Sequence, residues 1–474
     1  MDSAAPRLLL PLLLWAWPAP AASEGHIEEP GTNFSGVGGV KDDAVKMIPG
    51  SSVSAMMLGS VVFIMSLTYL VHWPERDIRV ITWKLTSSTT SIFIAVMLNT
   101  VMVHFVKVNI CTHMQPGLVW FFMLFALWLG VQAFLFLTRR NRIAITARAT
   151  VGGHILGFTA IHVFGTLQEH PLFRDEWRPL IVLPLFFVVW FAFSWVAGRL
   201  RTTVEDRMVR LSSDAQEGEA EEQWEDQCQD SENDTVCITL GFLLTQVIGS
   251  AITGELPPLE GEPSEPHDWQ NHILFAAAGL LMIAVFVFEA MEHEEHSQIT
   301  KRLFSIVRGV LAMSMSWCWL FWGRWHLWRT VKIEELLAKV TLACSMSALS
   351  MWMIFLLNTL ANRGILNPRA LRAVIQAFGL LVGMGWEACF DACMEDLHPK
   401  SKKYVAAFAL AVFVLPGWRL YILPKAMEVW RPEHYTSPPS ATTLCIDEET
   451  VHPSEDDDDS ADLKKGSSED DSES

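Results

Sequence analysis

Apolar runs of about twenty residues recur along the whole chain, and this feature constrains the fold more than any other. A helix of that length rises about 30 Å, which is the thickness of the hydrocarbon layer of a membrane. Hydrophobic residues make up 51% of the 474 residues and charged residues only 19%, which argues against several soluble domains. The sequence therefore predicts an all-α, multi-pass membrane protein in a lipid bilayer. Its eleven expected spans centre on residues 52–71, 86–106, 118–137, 149–167, 180–198, 236–253, 272–288, 307–325, 340–360, 370–387 and 404–423.

The negative charge is concentrated outside these runs, in two segments. Residues 212–235 hold ten acidic residues and no basic one, and residues 447–474 hold thirteen acidic residues and two lysines. Because the chain carries −18 and these segments together carry −21, the remainder carries +3. We expect a disordered cytosolic loop over residues 212–235 and a disordered cytosolic tail over 432–474, since their acids repel and little apolar surface offsets the ordering cost. The tail either binds cytosolic proteins or only adds solubility.

The N-terminus has the pattern of a secretory signal peptide over residues 1–22. Arg7 precedes a short leucine-rich run, and Ala19 and Ala21 suit the cleavage positions. The alternative is an uncleaved first helix, for which the run is short. Residues 23–51 are then lumenal or extracellular, and Asn33 begins a glycosylation sequon or a chance match to one.

Arginine is enriched in every second loop between the predicted spans, for example at Arg139, Arg140, Arg199 and Arg201. The loop over residues 254–271 has no lysine or arginine. Cytosolic loops carry the excess of basic residues in membrane proteins. We therefore expect an outside or lumenal N-terminus and a cytosolic C-terminus, in the plasma membrane or an endomembrane.

Two stretches of the chain, residues 134–149 and 355–370, are similar when shifted by 221 positions. The similarity predicts two parallel five-helix repeats, residues 52–211 and 272–431, joined by a linker helix and outer loop over 236–271 (5+1+5). Parallel repeats are a known transporter arrangement. The shared Asn-Arg turn is expected to orient the third and fourth helices of each repeat. The seven identities are Phe134/Phe355, Leu135/Leu356, Thr138/Thr359, Asn141/Asn362, Arg142/Arg363, Arg148/Arg369 and Ala149/Ala370.

Polar residues on the fourth helix of each repeat are candidates for a pathway between the repeats. They are His154 and His162 in the first repeat, and Gln376 and Glu387 in the second. Ionisable groups at membrane depth are costly and often functional. The alternatives are histidines bonded to a neighbouring helix and a Glu387 that lies at the outer interface.

The same two helices carry glycines four residues apart, at Gly153 and Gly157 and at Gly379 and Gly383. Small residues at this spacing favour close helix packing. A hinge for substrate gating is the alternative function of these glycines.

A cluster of histidines and carboxylates follows the seventh span, at Glu289, Glu292, His293 and His296. It is a candidate metal or pH-sensing cluster. The alternative is a solvated helix extension. A second cluster lies at the end of the eighth span, where an aromatic belt at the membrane interface is the expected interpretation. That belt comprises Trp317, Trp319, Trp322, Trp325 and Trp328.

The chain lacks the phosphate-binding, dinucleotide and catalytic motifs that would indicate an enzyme or a cofactor. The arginine-rich stretch at 138–149 does not indicate nucleic-acid binding, because the soluble segments are acidic. The sequence favours a transporter or channel for a small solute or ion. The alternative is a receptor or scaffold that presents its acidic cytosolic segments to partner proteins.

Overall fold

The computed structural model describes residues 50–110, 116–175, 177–209, 215–257, 259, 268–292, 297–330, 335–395 and 401–428. These residues form helices and connecting turns, without any β-strand. Among these described residues, eleven helices are long and apolar enough to cross a membrane, which confirms the predicted multi-pass class. The predicted signal peptide at 1–22, Asn33 and the acidic tail at 432–474 lie outside the described residues.

The helices follow the predicted spans closely and are numbered in chain order. A 3₁₀ turn, Arg178–Ile181, precedes α5, and a π turn, Trp418–Ile422, joins α11 to the short α12 within the eleventh span. The bounds are α1 (Gly50–Val71), α2 (Arg76–Asn109), α3 (Pro116–Thr138), α4 (Arg142–Glu169), α5 (Val182–Val209), α6 (Ala215–Thr253), α7 (Asp268–Met291), α8 (Gln298–Thr330), α9 (Glu335–Asn362), α10 (Pro368–Glu395), α11 (Ser401–Gly417) and α12 (Leu423–Glu428).

The even-numbered helices from α2 to α10 form a closed ring, in the order in which they occur along the chain. α2 packs against α4, α4 against α6, α6 against α8, α8 against α10, and α10 returns to α2. The helices α3, α5, α7 and α9 each pack on the ring helix that follows, and α11 packs on α2. Of the two remaining helices, α1 contacts α9 and α2, and the short α12 contacts α2 and α4. α4, α6 and α10 are the most buried spans.

The five ring helices run in the same direction, because an odd-numbered helix returns the chain after each of them. We call the side of the membrane at which the ring helices begin the mouth side, and the opposite side the far side. The 5+1+5 arrangement is not confirmed. The helix that it set apart as a linker, α6, is instead a full member of the ring.

The conformation of the acidic segment at 212–235 differs most from the sequence prediction. Residues 215–253 form the single helix α6, so the predicted disordered loop is wrong wherever the structure describes this segment. With 39 residues, α6 is about 58 Å long, so it extends well beyond a hydrocarbon layer of about 30 Å. Glu232 of this segment pairs with Arg201 and Arg302 of neighbouring helices, which offsets part of the repulsion on which the prediction rested.

The turns on the mouth side have identifiable helix stop and start signals. Gly364, at φ +71°, ends α9, and the N–H of Ile365 donates to the carbonyl of Leu360 at 3.0 Å. A glycine with positive φ is the usual residue at such a helix end. Asn141 caps α4, accepting a hydrogen bond from the N–H of Ala144 at 3.0 Å. These signals fix the short turns that align neighbouring helices.

The two predicted glycine pairs lie at close helix contacts. Gly153 and Gly157 of α4 face α6, and Gly379 and Gly383 of α10 face α2. A methyl group on Gly153 would lie 2.9 Å from the carbonyl oxygen of Ser231, closer than normal packing allows. The predicted role in close packing is confirmed for both pairs.

We expect Gly153→Ala to destabilise the protein by about 1–3 kcal/mol, because the backbone of α6 cannot move aside without separating the two helices. The matched control is Gly130→Ala in α3, where an added methyl group would meet no atom within 4 Å. That control should be neutral or stabilising, since alanine favours helix by about 1 kcal/mol. Thermal unfolding in detergent, followed by tryptophan fluorescence, measures both. Equal melting temperatures for the two variants would contradict the packing.

Candidate functional site

A large polar cavity lies within the ring on the mouth side, with a volume of about 990 Å³. Its walls come from the mouth-side halves of α2, α4, α6, α8 and α10, with α12 closing one part. The volume is at the upper end of the range of about 300–1,000 Å³ for ligand pockets. The ring therefore encloses space on this side instead of packing solidly.

One wall of the cavity is an acidic stripe on α6, formed by Glu222, Asp226, Asp230 and Asp234. The four residues are spaced four apart, which places them on one face of the helix. The side chains of Glu222, Asp226 and Asp230 are exposed. The cavity is therefore open towards the mouth side along this stripe.

The basic residues of the cavity lie on the other four ring helices, at Lys84 of α2, Arg142 of α4, Arg308 of α8 and Arg372 of α10. Arg308 donates to the carboxylates of Glu289 on α7 and of Glu292, which directly follows α7, the latter at 3.0 Å. Lys84 lies within electrostatic range of Asp230 and Asp234. The cavity thus has an acidic wall that faces basic groups.

The inner end of the cavity brings three ring helices together. Asp234 accepts a hydrogen bond from the amide of Gln376 at 2.9 Å, and the hydroxyl of Ser88 donates to the carbonyl of Gln376 at 3.4 Å. His154 of α4 lines the same cavity, and its side chain is only 1% exposed. Its ring lies close to the backbone of Ser91 on α2.

Beyond His154, the same ring helices contribute an apolar plug. We define the plug by buried side chains on α4, α6, α8 and α10. Trp319 and Phe378 stack with ring centroids 5.7 Å apart, and Trp317 meets Phe242 edge-on at 5.0 Å. On each of these four helices the plug residues lie further towards the far side than the residues that line the cavity. Its members are Leu156, Phe158, Phe164, Ile238, Phe242, Leu243, Met315, Trp317, Trp319, Phe378, Leu380 and Leu381.

The predicted aromatic belt is therefore wrong for most of its described members. Trp317, Trp319 and Trp325 are buried in the core, and Trp322 is half-buried against Phe275. The run is so rich in tryptophan because α8 is a ring helix, with bulky side chains that fill the interior. The side chain of Trp328 lies outside the described residues.

The opposite face of α6 holds a buried ion cluster around Glu232. This carboxylate, 1% exposed, accepts from Arg201 of α5 at 2.7 Å and from Arg302 of α8 at 2.9 Å. Gln132 of α3 donates to it at 3.4 Å. Because four helices meet at one carboxylate, this cluster fixes the position of α6 in the ring.

The structure separates the four predicted pathway residues into two groups. His154 and Gln376 line the cavity. His162 packs edge-on against Trp120, with ring centroids 4.3 Å apart, and is not among the residues that line the cavity. Glu387 lies on the far-side half of α10, near the charges of Arg324 and Asp391. His154 and Gln376, one from each predicted repeat, thus line the same cavity within the ring.

In the predicted histidine and carboxylate cluster, the two members that the structure describes bind an arginine. Glu289 and Glu292 hold Arg308 at the cavity wall, while His293 and His296 lie outside the described residues. The described part of the chain contains no group of three or more side chains placed to hold a metal ion. The acidic residues of this segment are therefore positioning residues for Arg308.

The two Asn-Arg turns differ in their contacts. Asn141 caps α4, whereas Asn362 donates to the carboxylate of Glu75 at 2.9 Å. Arg142 lines the cavity, but its repeat partner Arg363 is exposed in the turn after α9.

The second pair of aligned arginines consists of Arg148 and Arg369. Arg148 contacts Phe134, with its guanidinium 5.1 Å from the ring centroid. The backbone of Arg369 lies in α10, and its side chain is outside the described residues. Each of the two stretches joins two consecutive helices by a turn, and their side chains make different contacts.

Sequence reasoning missed Lys84, Arg372 and the acidic stripe. The sequence does contain a pattern that indicates the stripe. Its four acidic residues are spaced four apart, as on one face of a helix, within the segment for which the sequence predicts a disordered loop. Lys84 and Arg372 are single charges near helix starts, and nothing in the local sequence marks them as partners. Their significance comes from the ring, which brings distant helices together.

The fold and the composition of its helices define a multi-pass helical membrane protein. Comparison of the chain with known protein families, with curated proteins and with solved structures finds no match. The function is therefore argued from the cavity alone.

Proposed function

We propose that the protein is a transporter that moves a small polar or charged solute through the interior of its helical ring. The observation that carries this proposal is the polar cavity of about 990 Å³, which reaches into the ring from the mouth side and stops at the plug. A ring with only a structural role would be filled by apolar side chains at normal packing density. Charged groups inside a membrane protein are costly and mark the paths of solutes and ions.

The plug favours a transporter over an open channel. The described residues leave the cavity open on the mouth side and fill the other half of the ring with Trp319, Phe378 and their neighbours. A solute can cross such a ring only if the plug separates while the mouth closes, which is alternating access. The arginine distribution supports a cytosolic mouth side and a cytosolic C-terminus.

The two five-helix repeats remain part of the proposal as an account of how the ring arose. They are supported by the seven sequence identities and by contacts that recur in both halves, α2 with α4 and α8 with α10. The receptor or scaffold alternative is weakened, because the acidic stripe of α6 lines the cavity and does not form a loop for partner proteins. That alternative now rests on the tail alone.

The proposal is tested by solute uptake into vesicles that contain the purified protein. The solutes are sodium, chloride, phosphate, glucose and a free amino acid, each radiolabelled. The uptake rate of each solute is compared with its rate in protein-free vesicles. We expect saturable uptake of at least one solute above the protein-free rate. Rates that equal the protein-free rate for every solute would contradict transport and favour the receptor alternative.

A further inference from the structure

The eleventh span ends in a short helix that lies at the mouth side of the cavity. α11 returns the chain to the mouth side, where the π turn connects it to the six-residue helix α12. α12 packs on α2 and α4, and its residues Leu423, Ala426 and Met427 line the cavity. The end of this span therefore forms part of the cavity wall.

The connection between α11 and α12 differs from a continuous α-helix. The N–H of Leu423 donates to the carbonyl of Trp418, five residues earlier, which is the hydrogen bond of a π turn. Pro416 and Pro424 lie on either side of this turn, and proline has no N–H to donate to a preceding carbonyl. Sharp bends in helices occur at prolines and at π turns. The connection is therefore a point about which α12 can move while α11 stays in place.

Trp418 anchors this connection to the wall of the cavity. Its side chain is 1% exposed, and its indole N–H donates to both the carbonyl and the hydroxyl oxygen of Ser87 on α2, each at 3.1 Å. Ser87 lines the cavity and is itself only 8% exposed. The position of α12 is thus fixed by a hydrogen bond to a residue of the cavity.

Beyond this anchor, apolar contacts hold α12 on the ring. Leu423 and Ala426 are buried, and Leu423 belongs to one apolar cluster with Ile94 and Met97 of α2 and Ala147 of α4. A helix of six residues is not stable alone in water. These contacts therefore determine whether α12 stays on the ring or leaves it.

We propose that α12 is a lid on the mouth side of the cavity, anchored by Trp418 and hinged at the π turn. In the structure the lid lies on α2 and α4, and its anchor covers Ser87. When the lid swings away, the mouth of the cavity widens and a solute can enter or leave. This inference rests on the proposed function for what passes the lid, since lids control access to the sites that they cover.

The lid is tested by the reactivity of a cysteine at position 87, in the full-length protein in detergent and without any solute. Ser87→Cys keeps the backbone carbonyl that accepts from Trp418 and replaces the hydroxyl with a thiol. A water-soluble maleimide is added, and the rate of labelling is followed for each peptide by mass spectrometry. The native Cys318, which is buried in the core and does not line the cavity, reports any general loosening of the fold.

Two substitutions, each combined with Ser87→Cys, should release the lid. Leu423→Ala removes most of a buried side chain that holds α12, and should raise the rate of labelling at position 87 about tenfold or more. Trp418→Phe keeps an aromatic ring but removes the N–H donor, and should raise this rate about two- to tenfold. The matched controls are Leu420→Ala in the π turn and Trp352→Phe on α9, both at exposed positions, and they should leave the rate unchanged.

The labelling rate of Cys318 should stay the same in all of these proteins. Rates at position 87 that equal those of the matched controls would overturn the lid, as would a parallel rise at Cys318. If Trp418→Phe does not fold, as judged by its melting temperature, Leu423→Ala decides the question alone. A released lid in a protein that takes up no solute would contradict transport and leave the lid intact, so the two proposals fail by different results.

Discussion

Replacing Glu232 with glutamine is expected to lower the free energy of unfolding by about 3–5 kcal/mol, the largest loss of stability that we predict for a single residue. The carboxylate is 1% exposed and holds Arg201 of α5 and Arg302 of α8. The side chain of Arg201 is itself only 6% exposed, so it would remain as a buried charge without its counterion. Arg302 is 33% exposed and can reach water. Melting temperature in detergent and yield of monodisperse protein measure the loss.

A second substitution separates this cause from a general loss of packing. Adding Arg201→Met to Glu232→Gln removes the uncompensated charge, so the double variant should recover part of the lost stability. The control is Asp175→Asn, which removes a carboxylate from an exposed turn and should leave the melting temperature unchanged. Losses that simply add in the double variant would show that Glu232 and Arg201 are not coupled.

Placing a tryptophan at position 373 is expected to reduce solute uptake about tenfold or more, the largest functional effect of the account. Ala373 is a half-buried residue of α10 that lines the cavity close to Gln376. An indole ring there occupies space that the solute needs, and the open cavity accepts it without displacing the core. Initial uptake rates in vesicles, at equal amounts of incorporated protein, measure the effect.

The matched control for this block is Ala276→Trp on α7, an exposed position outside the cavity. Its uptake rate should equal that of the unmodified protein. Melting temperatures of both variants show whether the fold is retained. Normal uptake by a folded Ala373→Trp protein would place the solute path somewhere other than the ring.

The membrane-spanning helices could be predicted from the sequence because each must be long and apolar to cross the bilayer. The ring could not, since it depends on which helix faces which neighbour. The ring helices have lower mean hydropathy, 1.2–1.8, than the outer helices, 1.8–2.5, but hydropathy does not say which helix contacts which. The glycine pairs were the exception, because Gly153 and Gly379 signal close packing through spacing alone.

The acidic segment shows why net charge is a poor guide to disorder inside a membrane protein. Counted alone, residues 212–235 repel one another, and no local feature provides compensating charge. In the fold, Glu232 meets Arg201 and Arg302, and Asp234 meets Gln376. These partners come from α5, α8 and α10, which are distant along the chain. For the same reason, only part of the candidate site could be predicted from the sequence. His154 and Gln376 lie on predicted spans, whereas the acidic stripe lies in the segment for which the sequence predicts a disordered loop.

The most direct test of the account is the accessibility of a cavity residue from each side of the membrane. Thr150 lines the cavity on α4, and Thr150→Cys can be labelled in sealed vesicles with a membrane-impermeant maleimide. Arg363→Cys, in an exposed mouth-side turn, and Asp175→Cys, in an exposed far-side turn, report the two sides. Labelling is quantified for each peptide by mass spectrometry, so the native cysteines, including Cys237 in the cavity, are counted separately.

The account predicts that Thr150→Cys reacts when the reagent is on the mouth side, where it labels Arg363→Cys. When the reagent is on the far side, where it labels Asp175→Cys, Thr150→Cys should not react. A Thr150→Cys protein that resists the reagent from both sides would contradict the open cavity. Equal reaction from both sides would contradict the plug.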